Sequence, residues 1–383
     1  MSQIQRQLSD CRPVWVEVDL GAVRHNVTTL LARAAPAALC AVVKADGYGH
    51  GALAVAEVAL EAGATSLAVA LVEEGADLRE AGVTAPILLL SEAPLEAMPD
   101  VVRLQLTPTI YTLAGLEGAA KAVASSGSAA VPLSVHVKVD TGMHRVGADP
   151  EEAVHLAMAV ADAPELDLEG LWTHFAVADD PDDPFTGLQT ARFLSVVSEL
   201  RGHNIHPRYL HASNSAATIA HPSARHDLVR CGIAVYGVAP SLALDISDLR
   251  PAMTLRARVS LVKDVAAGEG LSYGLRHRVT NSTVVATVPI GYADGVPWQL
   301  GVTGADVLIG GRRYPLVGSV TMDQILVDCG RDSDIRTGDD VVLLGRQGND
   351  QILAWDWAER ASTIAYDVVC GISARVPRRY VRT

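Results

Sequence analysis

The run "LCAVVKADGYGHG", residues 39–51, carries an apolar stretch into Lys44 and then turns through glycines set around Tyr48 and His50. Burying an ammonium is costly unless something neutralises it or lowers its proton affinity. A lysine shielded from water and held as a neutral amine is the natural partner of a carbonyl, with which it condenses to an imine, as it does with pyridoxal phosphate. The competing reading is a strand-end lysine whose charged head snorkels to solvent.

Other residues bear on that choice. A phosphate needs a cradle of backbone N–H groups, and "HASNSAAT" offers Ser215 beside Asn214, while "LVRCGIAVYG" offers Gly232 and Ile233. Arg230 precedes the second loop; either it faces a pyridine nitrogen, which a fixed guanidinium would keep unprotonated, or it pairs with Asp227. "VHVKVDTGMHRVG" sets Lys138 and Asp140 two apart, on one face of a strand, with Arg145 in the following loop, suited to a carboxylate or a phenolate. A surface ion-pair ladder is the alternative for Lys138 and Asp140. His174 falls near the end of "LWTHF" and His211 in "YLHAS", both at strand ends, where a site role and a satisfied structural role compete. Downstream, "GLSYGL", "IGYADG" and "TIAYDV" place Tyr273, Tyr292 and Tyr366 in a chain of only 9 tyrosines.

These residues act together only if the fold brings them to one place. From about residue 38 to 237, short β-rich apolar runs alternate with helical segments: "ALCAVVKA", "SLAVA", "PILLL", "LQLTPT", "LSVHVKVD", "LEGLWTHF", "PRYLHAS" and "DLVRCGIAVYG". Continuous apolar strands joined through helices indicate a parallel sheet, and this many units in so short a span predict an α/β fold with a closed (β/α)8 TIM-type barrel. Chemistry then belongs at the carboxyl ends of the strands. In one of the helices Asp149 can cap, Pro150 suits the first turn, and Val154, Ala157, Met158 and Ala161 form an apolar stripe. After about residue 245 the pattern changes to alternation: in "MTLRARVSLV", Met253, Leu255, Ala257, Val259 and Leu261 share one face. The expected organisation is a barrel over 13–244 and a mainly antiparallel β domain over 245–383 with one late helix near "WDWAERASTIAYDVV". Residues 1–12 are expected to form a tail against the β domain.

Composition narrows the partners. The net charge of −13, from 44 acidic and 31 basic residues without a basic block, disfavours nucleic acid. No apolar run reaches the ~20 residues of a membrane span, and the start lacks a secretory apolar core, so a cytoplasmic protein is expected. Cys11, Cys40, Cys231, Cys329 and Cys370 are scattered and odd in number, which predicts buried free thiols and no metal site.

Taken in order, "AVVKADGYGHG", "KVDTGMHRVG", "THF", "SNSAA", "DLVRCGIAVYG", "LSYG", "VPIGYADG" and "SVTMDQ" resemble the alanine racemase family over nearly the whole chain. The resemblance implies a fold-type III pyridoxal 5'-phosphate enzyme interconverting L- and D-alanine and supplying D-alanine for peptidoglycan. It also implies a head-to-tail homodimer, whose active sites are shared between the barrel of one chain and the β domain of the other. Racemisation needs a base on each face, and the family pattern gives these roles to Lys44, which also carries the cofactor, and to Tyr273 from the partner subunit. It places His211 between Tyr273 and Arg230. The cofactor set it implies is Lys44, Tyr48, His174, Asn214, Ser215, Arg230, Gly232, Ile233 and Tyr366; the substrate set is Arg145, Met322 through its backbone, Tyr292 and Asp323. Lys138 matches a lysine that many members carry as a carbamate. The chain departs from the pattern at His144, where glycine is commoner, at Thr321, often cysteine, and at Trp298, often arginine in the substrate corridor. Related alternatives are a racemase of serine or of broader specificity, and a fold-type III decarboxylase, whose acidic partner for the pyridine nitrogen contrasts with Arg230. A single-barrel pyridoxal-phosphate carrier lacks the β domain.

Overall fold

The computed structural model describes residues 12–127 and 131–383, so Cys11 and the tail before residue 12 lie outside the described residues. Two compact units emerge, residues 22–250 and residues 12–21 with 251–383.

In the first unit, the apolar runs become parallel strands: β2 (Ala38–Val42), β3 (Ser66–Val69), β4 (Ile87–Leu89), β5 (Thr109–Ile110), β6 (Leu133–Lys138), β7 (Leu166–Trp172), β8 (Tyr209–His211) and β9 (Leu228–Cys231). They pair in the orders β4-β3-β2-β9 and β5-β6-β7-β8. Two backbone seams close the ring. Leu89 N donates to Thr107 O at 2.9 Å between β4 and β5, and Asp227 N donates to Leu210 O at 3.0 Å between β8 and β9. The strands read as near-continuous apolar sequence because helices cover the outer face while side chains fill the lumen. The helix Pro150–Asp162 forms as expected, with Pro150 in its first turn. Its buried face is Ala153, Val154, Leu156, Ala157 and Val160, about one residue round from the expected stripe, and Asp149 sits at the cap position without a side-chain capping bond.

The second unit is one large sheet, in the order β11 (Leu261–Val265), β14 (Thr283–Val288), β17 (Ile325–Gly330), β16 (Arg312–Val317), β15 (Asp306–Ile309), β18 (Asp340–Gln347), β10 (Met253–Arg258), β1 (Val14–Asp19) and β20 (Arg378–Val381). β19 (Asp350–Ile352) hangs on β18, and β12 (Gly270–Leu271) with β13 (His277–Arg278) forms a short ladder of its own. All pairs are antiparallel except β1 with β20. The expected domain limits shift here. Residues 14–19 pair with β10 and β20, because the alternation of buried Val14, Val16 and Val18 suits a sheet that is half buried. The late helix is two, Ala354–Ala361 and Ala365–Gly371, broken at Ser362 with φ +55°. Leu261 does not share the buried face of Met253, Leu255, Ala257 and Val259; β10 ends at Arg258 and Leu261 opens β11 exposed.

Candidate active site

The barrel half of the site starts from a strained turn. Lys44, half-buried, stands just past β2, and the next residues run left-handed: Ala45, Asp46 and Tyr48 have φ of +52°, +50° and +52°. Each non-glycine residue in that region costs roughly 1–2 kcal/mol, and such strain persists only where surroundings over-determine it. They do so here. Glu74 accepts from Ala45 N at 2.6 Å and Asp46 Oδ1 from Ala52 N at 2.8 Å. His50 is buried against Tyr236, and its Nδ1 lies 2.9 Å from Tyr48 O, as a donor. Tyr236 Oη in turn donates to Val42 O at 3.0 Å. The run that looks like a glycine-rich loop is a clamped left-handed turn that fixes where Lys44 leaves the barrel.

Arg230, on β9 and 3% exposed, is the centre of the lumen. Its Nη1 donates to His211 Nδ1 at 3.0 Å; Nη2 donates to Thr173 O at 2.8 Å and Ala212 O at 3.0 Å, with His174 Nδ1 a longer contact at 3.3 Å. Trp172 carries these cations on its ring, with Arg230 at 4.5 Å and Lys138 Nζ at 4.4 Å from its centroid. Burial lowers the Arg230 guanidinium to about 10, which leaves it a cation. It does not pair with Asp227, whose carboxylate accepts from Leu210 N at 2.8 Å. Lys138 is buried too. Desolvation first, then Arg230 and Arg145, push its ammonium down to about 7, against an opposing pull from Asp140. A surface ladder is therefore excluded: Asp140 Oδ1 instead accepts from the backbone of Gly142, Met143 and His144 at 2.9, 3.0 and 3.1 Å, shaping the loop that carries Arg145. Desolvation, followed by Arg230, Lys138, Arg145 and Lys44, holds His174 well below the ordinary histidine range. The two histidines thus meet at one arginine.

An anion cradle lies at the ends of β8 and β9. Gly232 N and Ala234 N donate to Ser215 Oγ at 2.9 and 3.3 Å. Tyr48 points its hydroxyl at Gly232, where a Cβ would sit 2.4 Å from Oη, so only glycine admits the ring. Asn214 is committed elsewhere, accepting from Ala217 N at 2.9 Å as the cap of helix Ser215–Ala220. With its oxygen accepting from two amides, Ser215 is left with its hydroxyl hydrogen to donate, which suits a phosphate-like anion.

The β unit carries the remaining residues in a cleft of about 820 Å³ lined by Tyr273, Tyr292, Met322 and Asp323, with Trp298 and Thr321 beside them. Tyr273 is 79% exposed and flanked by Ser272 and Leu275 at φ +58° and +48°. Beneath it, Ser319 Oγ donates to Tyr273 O at 3.0 Å, and Leu271 anchors the loop in a cluster with Val279, Val285 and Val317. The Tyr292 turn is held from below by Asp294, fully buried, whose two oxygens accept from Arg12 at 2.8 and 2.9 Å while one also accepts from Gly291 N at 3.1 Å. Asp323 is paired with Arg375 at 2.7 Å. Trp298 stacks with Arg276, 5.6 Å from its ring, and the Thr321 hydroxyl donates to Gln324 O at 2.8 Å. Tyr366 is half-buried on the helix Ala365–Gly371.

One expected role does not survive. His211 was expected to bridge Arg230 and Tyr273; it does contact Arg230, but the ring is fully buried and its other nitrogen faces His136 at 2.9 Å. His174, half-buried, also contacts Arg230, through Nδ1 at 3.3 Å. Sequence reasoning also passed over Trp172, Glu74 and Gln189. Gln189, fully buried, donates to Thr141 Oγ1 and His174 O at 3.0 Å each and so ties the ends of β6 and β7. A polar residue inside an apolar helical stripe was the available signal. Cys40 and Cys231 are buried, with thiols pushed up to about 11 and about 12 by desolvation, and Cys329 is buried too, but Cys370 is exposed. Among the described residues no group of histidine, cysteine and carboxylate side chains could hold a metal, and no helix is long and apolar enough to cross a membrane.

Two family models match, described as alanine racemase, N-terminal domain, over residues 18–240 and alanine racemase, C-terminal domain, over residues 252–380. A curated relative from Symbiobacterium thermophilum, named alanine racemase, is 45% identical over 97% of this chain and 98% of its own. A crystal structure of alanine racemase from E. faecalis superposes with a TM-score of 0.91 at 40% identity, covering 97% of this chain and 99% of the other. A more distant neighbour, a histidine racemase from Leuconostoc mesenteroides, superposes with a TM-score of 0.88 at 28% identity over 97% of this chain and 98% of its own.

Proposed function

Because the chain belongs to the alanine racemase family, we propose that it interconverts L- and D-alanine with pyridoxal 5'-phosphate at the barrel mouth, using one base on each face of the substrate. The observation that carries the proposal is Arg230, a buried cation held between His211 and His174, with Lys44 close enough to depress His174.

The residues fit that cofactor. Ser215 accepts from Gly232 N and so keeps its hydroxyl hydrogen to donate to a phosphate, and the space a Cβ would take at Gly232 is needed by Tyr48. Bound there, pyridoxal phosphate supplies an electron-withdrawing ring that stabilises negative charge at the substrate α-carbon. Arg230 would stand beside the cofactor's ring as a fixed cation and would disfavour a second positive charge there. Lys44 holds the cofactor and moves the proton on the D face. The partner subunit's Tyr273 moves it on the L face. A free phenol titrates near about 10, so it needs help as a base. His174 supports that role: with Nδ1 accepting from Arg230 and the ring neutral, Nε2–H is the donor left for a phenolate. Arg145 and the backbone of Met322 orient the substrate carboxylate, and Tyr292, Asp323 and Tyr366 narrow the approach.

Lys138, brought to about 7, is a neutral amine often enough to take up carbon dioxide, releasing a proton and leaving a carbamate anion toward Arg145. An unmodified ammonium against Arg145 in the purified enzyme would count against this. In this reading the enzyme is a cytoplasmic homodimer that shares its sites between chains and supplies D-alanine for peptidoglycan.

The test is a panel of L-amino acids incubated with enzyme and pyridoxal phosphate, each assayed for its D-enantiomer and for carbon dioxide. D-alanine is expected first and carbon dioxide not at all; carbon dioxide without racemisation would move the chain to the decarboxylases. A broader racemase is the second reading, favoured by Trp298 in the cleft and by the histidine racemase neighbour.

A further inference from the structure

We infer that His136 and Glu169, deep in the barrel, are positioning residues that hold Arg230 through His211. The inference rests on the role proposed for Arg230.

The geometry fixes the direction of a hydrogen-bonded chain. Arg230 only donates, so His211 Nδ1, at 3.0 Å, must accept. A neutral His211 then carries its proton on Nε2 and donates it to His136 Nδ1 at 2.9 Å. His136 in turn presents Nε2–H to Glu169 Oε2 at 3.3 Å. Neither ring can become an imidazolium while these bonds last, since each needs one nitrogen as acceptor. The result is a relay of two neutral rings that couples the guanidinium to a carboxylate it does not touch, each bond polarising the next. Glu169 is held below the usual carboxylate range, chiefly by its bond to His136.

The backbone is built around this chain. Val135 pairs with Leu168 and His136 with Gly170, so Glu169 is the extra residue of a β-bulge in β7. A bulge re-aims a side chain at the expense of ladder regularity. Gly170 is there for the ring: a Cβ would lie 2.5 Å from His136 Nδ1. Glycine inside a strand weakens it, so the site tolerates a bulge and a glycine together to seat one imidazole. Trp172 completes the seat, stacking on His211 at 5.6 Å and 9°. On β6, His136 lies two residues before Lys138 and shares its lumenal face, one layer further from the mouth. The chain ends at a cavity of about 300 Å³ at the amino ends of β3, β8 and β9, lined by His136, Glu169, Arg208 and Tyr209, where Arg208 lies 3.9 Å from Glu169.

The test uses holoenzyme with nitrogen-labelled histidine and reads ring tautomers by NMR together with kcat, KM and the visible absorbance of the cofactor. Near neutral pH both His211 and His136 are expected to be neutral and protonated on Nε2; an Nδ1-protonated His211, or an imidazolium at either ring, overturns the chain. Glu169→Gln keeps an acceptor for His136 and is expected to hold kcat within about twofold, whereas Glu169→Leu removes it and is expected to lower kcat about tenfold, with a smaller change in KM. The leucine variant should also shift the cofactor's absorbance, which a purely structural role would not move. A folded Glu169→Leu enzyme with wild-type kcat and absorbance overturns the positioning role. Should that variant not fold, His136→Phe fills the same space beside Gly170 without ring nitrogens and reads the same quantities. Wild-type enzyme that fails to racemise alanine would sink the functional proposal alone, and the ring tautomers would still decide the chain.

Discussion

The two halves of the candidate site are built in opposite ways. In the barrel, Arg230 and His211 are 3% and 0% exposed and hydrogen-bonded within the fold, while in the β unit Tyr273 and Met322 are 79% and 52% exposed. Both halves nonetheless set their reactive residue beside left-handed backbone: Ala45 and Asp46 follow Lys44, and Ser272 and Leu275 flank Tyr273. Strain of this kind survives only where the surroundings enforce it, so Tyr273 is held in place even though its ring meets solvent. The barrel half is finished by hydrogen bonds within its own unit, and the β half ends in a preformed, exposed tip. Under the proposed function, the barrel of a second chain covers that tip.

The largest effect should come from the finished half. Lys44→Ala is expected to abolish racemisation together with the visible absorbance of bound cofactor, and racemisation at the wild-type rate would break the assignment outright. Tyr273→Phe comes next. It should slow removal of the α-proton from L-alanine by about 100-fold or more, the usual worth of a positioned acid–base group. Because the substitution removes only a hydroxyl from a ring that is exposed within its own chain, thermal stability should stay within about 0.5 kcal/mol of the parent. Solvent-hydrogen exchange measured separately from L- and D-alanine checks this, and an equal small effect in both directions would contradict a two-base site.

A smaller effect probes what holds the exposed tip. Asp294 is a buried carboxylate gripped by Arg12, with Arg375 at 3.5 Å, and it also accepts from Gly291 N in the Tyr292 turn. Removing one member of a buried pair is severe when it strands a buried charge; here Arg12 is partly exposed, so Asp294→Ala should cost about 2–3 kcal/mol, at or below the low end of that range. Urea unfolding followed in the β unit measures it. A change below about 0.5 kcal/mol would mean that the turn is carried by its backbone bonds alone.

The barrel was legible from sequence because its strands are buried on both sides and therefore read as apolar runs between helices. Alternation made the sheet unit legible too, yet β1 was assigned to the barrel, since pairing a strand with partners far along the chain cannot be read from its own residues. Lys44, Arg230 and Ser215 stood out through residue type at strand ends. The roles of His174 and His211 did not, because both are strand-end histidines and only the packing shows one buried between Arg230 and His136 and the other open on one side. Glu169 and Gly170 were unreadable for a related reason: a bulge is defined by the register of two strands. His50 looked like a helix start, and its bond to Tyr48 O follows from a left-handed turn that no local preference would suggest.

The smallest expected effect separates strain that serves the site from strain that does not. His144 has φ +52° in the loop that carries Arg145, at the position where the family pattern has glycine more often. Asp140 is 3.7 Å away, and the histidine side chain is 78% exposed, so that pair contributes little. Left-handed backbone costs a non-glycine residue roughly 1–2 kcal/mol, and glycine gives back about 0.5–1 kcal/mol through the greater freedom of its unfolded chain. His144→Gly should therefore stabilise the barrel by about 0.5–1 kcal/mol. Racemisation should be unchanged, since Asp140 Oδ1 still gathers the three backbone amides that shape the loop. Thermal unfolding and kcat measured on the same preparation decide it. A gain in stability with a fall in kcat would mean that the strain at His144, like that at Ala45 and Asp46, helps to aim a reactive residue, and it would move this loop into the finished half of the site.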